Sequence, residues 1–241
     1  MKTLQKFGGF AALYMTAAHL IGIVIFLVIL DYLSITDPAQ KVAVNVDQQM
    51  VVFATNLLMY VFFGFFLIVL SLALYERLKV GAPAVMPVAT TIGIIWAGSL
   101  IASGMVANAG LATVVPLYAK DPAQAALTWQ GIEAVTNGLG NANGEILGGL
   151  WVLLVSLAAL RAGGLTKGLN ILGLLVGAVG ILSIIPGLTD LLIGIFGLSQ
   201  IIWFVWLGMM LLYYPQEPVA KEMNSTQESP FGAKRSVTAP S

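Results

Sequence analysis

The sequence predicts an all-α integral membrane protein, a six-helix bundle with a short amphipathic helix in a long outer loop. Three observations carry that expectation. Of 241 residues, 59% are hydrophobic and 9% charged, against roughly 25% charged in a soluble domain. Such a chain cannot cover itself with a polar surface, so its solvent is lipid. Apolar runs of spanning length occur six times. Basic residues concentrate in alternate connections between those runs.

The runs cover residues 8–30, 50–74, 86–108, 144–160, 169–185 and 191–213. In hydrocarbon every backbone N–H and C=O must be satisfied within its own segment, so each run reads as a helix. Lys2 and Lys6 precede the first. Its apolar stretch exceeds the roughly 7–15 residues of a signal-peptide core, and it reads as a retained helix. Arg77 and Lys79 lie between the second and third spans, Arg161 and Lys167 between the fourth and fifth, and Lys221, Lys234 and Arg235 after the sixth. With the N-terminus inside, nine of the eleven basic residues are cytoplasmic and only Lys41 and Lys120 are not. The other connections carry Asp31, Asp37, Asp47, Asp121, Glu133 and Asp190. This partition predicts both termini in the cytoplasm.

Inner connections are short, which predicts antiparallel neighbours. Two outer connections are long, over 31–49 and 110–143, and each contains Asp-Pro-Ala-Gln, at 37–40 and 121–124. Asp at an N-cap followed by Pro at the first helical position starts a helix. The second copy opens an amphipathic helix with Ala126, Trp129, Ile132 and Val135 on one stripe and Gly138 as its closing residue. Residues 216–241 are polar and rich in Pro, Ser and Thr, too poor in apolar content to order themselves, and read as a flexible cytoplasmic tail.

Composition also excludes functions. Formal net charge is zero, without the basic footprint of a nucleic-acid binder. No cysteine is present, which removes disulfides, thiolate metal sites and cysteine nucleophiles. His19 is the sole histidine, so this chain alone cannot supply a bis-histidine haem. HExxH, GxSxG and a Gly-rich phosphate loop are absent. No cofactor, metal site or catalytic residue is expected.

Few residues remain that could carry chemistry. His19 lies midway along the first span, where an ionisable group is costly. It reads either as a relay or ligand, or as a link to a neighbouring helix. The stretch before the fourth span holds Asn137, Asn141, Asn143 and Glu145 among three glycines. One reading is an outward-facing polar pocket. The other is a helix start, with Asn141 or Asn143 as N-cap and Glu145 in a first turn favoured by the helix dipole. These five residues form the candidate polar site. Ser99, Ser103 and Ala107, and the pairs Gly144–Gly148 and Gly173–Gly177, read as close-packing faces. Asn56 and Gln200 are isolated polar groups, and Trp203 and Trp206 are expected to fill bundle volume.

The stretch NGEILGGLWVLLVSLAALRAGG at 143–164 followed by LNILGLLVG at 169–177, with LQKFGGFAAL at 4–13 and LYERLK at 74–79, resembles the bacterial DUF4386 family. The resemblance covers most of the six spans and implies a multi-pass bacterial membrane protein, with no catalytic residues to carry over. The expected function is a non-enzymatic accessory or sensing membrane module, partnered by lipid and by another membrane protein or a second copy of itself. The alternative is a small-solute or proton-coupled carrier using a pocket near Glu145.

Overall fold

Because the apolar runs must satisfy their own amides, they become helices, and no strand occurs among the described residues. The computed structural model describes residues 2–32, 34–141 and 145–214. The chain begins with α1 (Lys2–Val24), prolonged by a wide π turn at Ile25–Ile29. A separate short helix α2 (Pro38–Asp47) follows. Then α3 (Gln49–Asn56) runs through a π turn at Leu57–Phe62 into α4 (Phe63–Leu78). The long α5 (Val85–Tyr118) leads to α6 (Pro122–Thr136) and a π turn at Asn137–Asn141. The chain closes with α7 (Ile146–Ala162), α8 (Lys167–Leu182) and α9 (Thr189–Tyr213).

Four continuous stretches are long and apolar enough to cross a membrane: Thr3–Ile29, Gln49–Leu78, Val85–Tyr118 and Thr189–Tyr213. The apolar helices α7 and α8 are shorter. At about 1.5 Å per residue, the 17 residues of α7 and 16 of α8 reach about 26 and 24 Å, under the ~30 Å of a hydrocarbon core. The 34 residues of α5 reach about 51 Å. The first residue of α7 therefore starts well below the level to which α5 climbs.

Hydrogen bonds gather the connections at two ends. At one end Arg77 Nε donates to the Gly164 carbonyl at 2.9 Å and its Nη1 to that of Tyr214 at 3.2 Å. Gln5 Nε2 donates to the Leu211 carbonyl at 3.1 Å. The start of α1, the α4–α5 and α7–α8 connections and the end of α9 thus meet at a basic end.

The opposite end carries a cap made by α2 and α6. Both begin as their Asp-Pro pairs dictate. Asp37 Oδ1 accepts from Ala39 N–H, and Asp121 Oδ1 from Gln124 N–H, each at 3.0 Å. Ala125, Ala126 and Trp129 of α6 pack with Val42 of α2 and with Leu111 and Val114 of α5 into a small second core. Lys41 and Glu133 pair across the cap at 3.0 Å. Tyr32, whose hydroxyl donates to Asn45 Oδ1, has its phenol pushed up by burial. The Lys41 and Glu133 side chains remain 25% and 26% exposed, so water screens the pair. A double-mutant cycle of Lys41→Met and Glu133→Gln is expected to give a coupling under about 1 kcal/mol. A larger value would mean the pair, rather than the apolar contacts, holds the cap.

Several local expectations are corrected. The third apolar run does not stop at Asn108; α5 continues to Tyr118. Asn108 bonds between helices, accepting from Asn56 Nδ2 at 2.9 Å and donating to the Phe53 carbonyl. Beyond it, Leu111 and Val114 bury against the cap. In α6, Ala126 and Trp129 are buried and Ile132 packs beside them, whereas Val135 is exposed. Gly138 does not supply the left-handed turn after α6; Gly140 does, with φ 152°. Trp203 is fully buried, but Trp206 lies at the surface, above Gly168.

Of the small-residue pairs, Gly173–Gly177 packs closely on α7 as its motif suggests, but the partner there is Gly149. A Cβ on Gly149 would meet the Ile181 amide nitrogen at 2.6 Å and the Gly177 carbonyl at 2.8 Å, so α7 and α8 touch backbone to backbone there. Gly148 instead seats the edge of Trp96, 2.7 Å from where its Cβ would stand. The expected tail over 216–241 lies outside the described residues, as do Asn143 and Gly144.

Candidate functional site

Glu145 occupies the cap position of the short helix α7, and no side-chain bond is made there. Its own N–H donates to Ser183 Oγ at 2.8 Å, and that hydroxyl donates in turn to the Gly180 carbonyl at 2.6 Å. The end of α8 thereby fixes the backbone while the carboxyl stays uncommitted. Ion pairs among the described residues are Lys41–Glu133 and Lys79–Glu76, so no basic side chain of these residues neutralises it.

Glu145 lines two cavities. The first, about 220 Å³, is lined by His19, Tyr60, Trp96, Glu145, Phe196 and Gln200, with Met59, Phe63, Leu100, Ile193 and Gly197 completing it. His19, Tyr60 and Gln200 lie near the middles of the stretches Thr3–Ile29, Gln49–Leu78 and Thr189–Tyr213. Glu145 lines the same cavity and so stands level with the middles of these longer helices, because α7 starts late. The π turn Leu57–Phe62 shapes this wall. A π bulge shifts side chains off the regular helical register and recurs at functional sites. Gly104 of α5 admits that bulge, since a Cβ there would stand 2.7 Å from Tyr60 Cβ.

The His19 ring makes no hydrogen bond to another helix. Its Nδ1 lies 3.1 Å from the Met15 carbonyl of its own helix. A carbonyl only accepts, so Nδ1 carries a proton and a neutral ring presents Nε2 as an acceptor. The ring packs edge-on against Phe63 at 5.1 Å between centroids. Gln200 is 1% exposed, and its amide nitrogen has no hydrogen-bond partner. Below the cavity, toward the basic end, Trp151 and Trp203 stack edge-to-face at 5.7 Å and Phe204 packs on Trp203 at 5.5 Å. Trp151, Trp203 and Phe204 are all 0% exposed, and they close the floor.

The second cavity, about 230 Å³, is lined by Ser99, Asn137, Gly138, Leu139, Gly140, Ile146 and Leu147, together with Trp96 and Glu145. It lies under the cap, where the π turn after α6 folds over the start of α7. Of the five candidate residues, the structure brings His19 and Glu145 to the first cavity and Asn137 and Glu145 to the second. Asn141 ends the π turn, and Asn143 lies outside the described residues. Tyr60, Trp96 and Gln200 do not belong to the candidate site that the sequence offers. Their signal was a polar edge on an otherwise apolar span, which at the level of sequence also describes ordinary interhelical packing.

The fold and the site together define a class: an all-helical protein with apolar helices suited to a lipid bilayer, and between them cavities whose mostly apolar walls carry a few polar groups. No family model matches the chain, and neither a curated protein nor a solved structure matches it.

Proposed function

We propose that this chain is a non-enzymatic, six-crossing protein of a bacterial inner membrane that senses a small solute bound at Glu145. The observation that carries the reading is the pair of cavities that share Glu145, level with the middles of the long helices and above a closed aromatic floor. A carboxylate placed there without a counter-charge is costly, and an intramembrane ionisable group marks a binding site or pathway by default. In this reading α7 and α8 also cross, their shortness compensated by local thinning or by the cap. The basic end faces the cytoplasm, as the distribution of Lys and Arg favours. The resemblance to the DUF4386 family supports the same topology. A carrier is the second reading, favoured by the cavity under the cap, which offers a route from that side to Glu145.

The absence of cysteine makes each introduced thiol a unique probe. With intact cells and a small charged thiol reagent, Lys120→Cys and Ser99→Cys are expected to label from the outside and Lys79→Cys only after the inner face is exposed. Labelling of Lys79→Cys from outside would reverse the orientation. A Ser99→Cys thiol inert from both faces would remove the solvent-connected cavity, and the ligand-sensing reading with it. Uptake by liposomes holding the protein, absent in empty liposomes, would select the carrier over the sensor.

A further inference from the structure

We propose that the interior cavity binds a small protonated amine, its ammonium against Glu145 and its apolar body against the rings of Trp96, Phe63 and Phe196. This rests on the ligand-binding reading above and names the ligand class for that site. Four observations point the same way. First, no lysine or arginine lines the cavity, so the Glu145 carboxyl lacks a cation from the described residues. Second, His19 has its Nδ1 proton engaged by the Met15 carbonyl, which leaves Nε2 of the neutral ring as a second acceptor. Third, Gln200 is nine-tenths buried and more, lines the cavity, and has an amide nitrogen without a partner. No protein hydrogen bond holds that amide, so it can turn its carbonyl edge to a donor. Fourth, the remaining polar-capable walls are aromatic, and a cation over an aromatic face in a water-poor site is stabilised by the ring quadrupole.

Size limits the ligand. The volume, about 220 Å³, falls below the roughly 300–1,000 Å³ of drug-sized pockets, so the amine carries one ring or a short alkyl chain. An anion is disfavoured by Glu145 and by the lack of any basic wall. A neutral molecule of the same shape would leave the carboxyl uncompensated.

The test uses the full chain in lipid nanodiscs and follows tryptophan fluorescence, since Trp96 lines the site. The probes are benzylammonium and its neutral counterpart, benzyl alcohol. Saturable quenching by benzylammonium, with benzyl alcohol at least tenfold weaker, is the expected result. Glu145→Gln keeps shape and removes charge; it should weaken benzylammonium by roughly thirtyfold or more, the loss typical of breaking a buried charge pair, and leave benzyl alcohol unchanged. Gly197→Leu, whose added Cβ meets no heavy atom within 4 Å, should fold normally and weaken both probes. Equal affinity for the two probes, or benzylammonium affinity unchanged in Glu145→Gln, overturns the amine assignment while ligand binding itself stands. If neither probe binds, the amine assignment is overturned too. The Ser99→Cys labelling then decides separately whether the neighbouring cavity under the cap, which shares Trp96 and Glu145 with this one, is open to solvent.

Discussion

Replacing Gly149 by valine is expected to separate α7 from α8 and to abolish recovery of folded protein from the membrane. The Cβ of any larger residue would stand 2.6 Å from the Ile181 nitrogen and 2.8 Å from the Gly177 carbonyl. Both are backbone atoms, so no rotamer change relieves the clash and one helix must move. Overpacking against a side chain costs about 1–3 kcal/mol; against backbone on both partners the cost should exceed about 3 kcal/mol. In lipid, helices associate through close packing rather than through hydrophobic transfer. Moving α8 outward therefore loses the contacts that hold it. The hydrogen bond from Glu145 N–H to Ser183 would go with it, so the site and the interface fail together. Gly194→Ala provides the contrast. Its Cβ meets nothing within 4 Å, and helix propensity favours Ala over Gly by about 1 kcal/mol, so that variant should be neutral or slightly stabilised. Size-exclusion profiles and unfolding midpoints of the purified variants check both. A Gly149→Val protein with a wild-type midpoint would show that α7 and α8 do not touch as described.

Trp151→Ala is expected to destabilise by about 3 kcal/mol and to open the cavity floor. The side chain is 0% exposed and lies between Trp96, at 5.9 Å between ring centroids, and Trp203, at 5.7 Å. Aromatic-to-alanine changes in cores cost about 3–5 kcal/mol. The lower end applies because lipid tails are as apolar as the bundle interior, so the loss is mainly of packing contacts. Removing the indole would also join the Glu145 cavity to the space above Gly93, against which the Trp151 Nε1 edge is seated. Two readouts follow: a lowered unfolding midpoint in detergent, and new reactivity toward reagent added from the cap side of a Ser71→Cys thiol, near-isosteric with the hydroxyl that stands beside the same Gly93. Retention of the wild-type midpoint would mean the floor is not built on Trp151. Trp151→Phe, which keeps an aromatic ring, should lose less than half as much.

The sequence by itself determined the chemistry of the solvent. With 59% hydrophobic residues and zero net charge, the chain had to build apolar helices, and its Asp-Pro pairs had to start α2 and α6 because the cap and the fixed proline torsion are local effects. The grouping of the basic residues at one end was legible for the same reason, since each belongs to a connection whose neighbours are visible in the chain. The interior was not legible in this way. Whether Asn108 ends a helix or bonds Asn56, whether Gly148 or Gly149 meets α8, and whether Gln200 packs or lines a cavity all depend on which residue of another helix stands opposite. Residues near 19, 60, 96, 145 and 200 converge only when six apolar helices are stacked in register. Glu145 shows the difference most clearly. Read along the chain, it is an acid at the start of a helix, at home in the field of the dipole. Placed by tertiary structure, it stands level with the middles of the long helices, because α7 begins low and α5 rises past it, and it lines a cavity with no lysine or arginine in its wall.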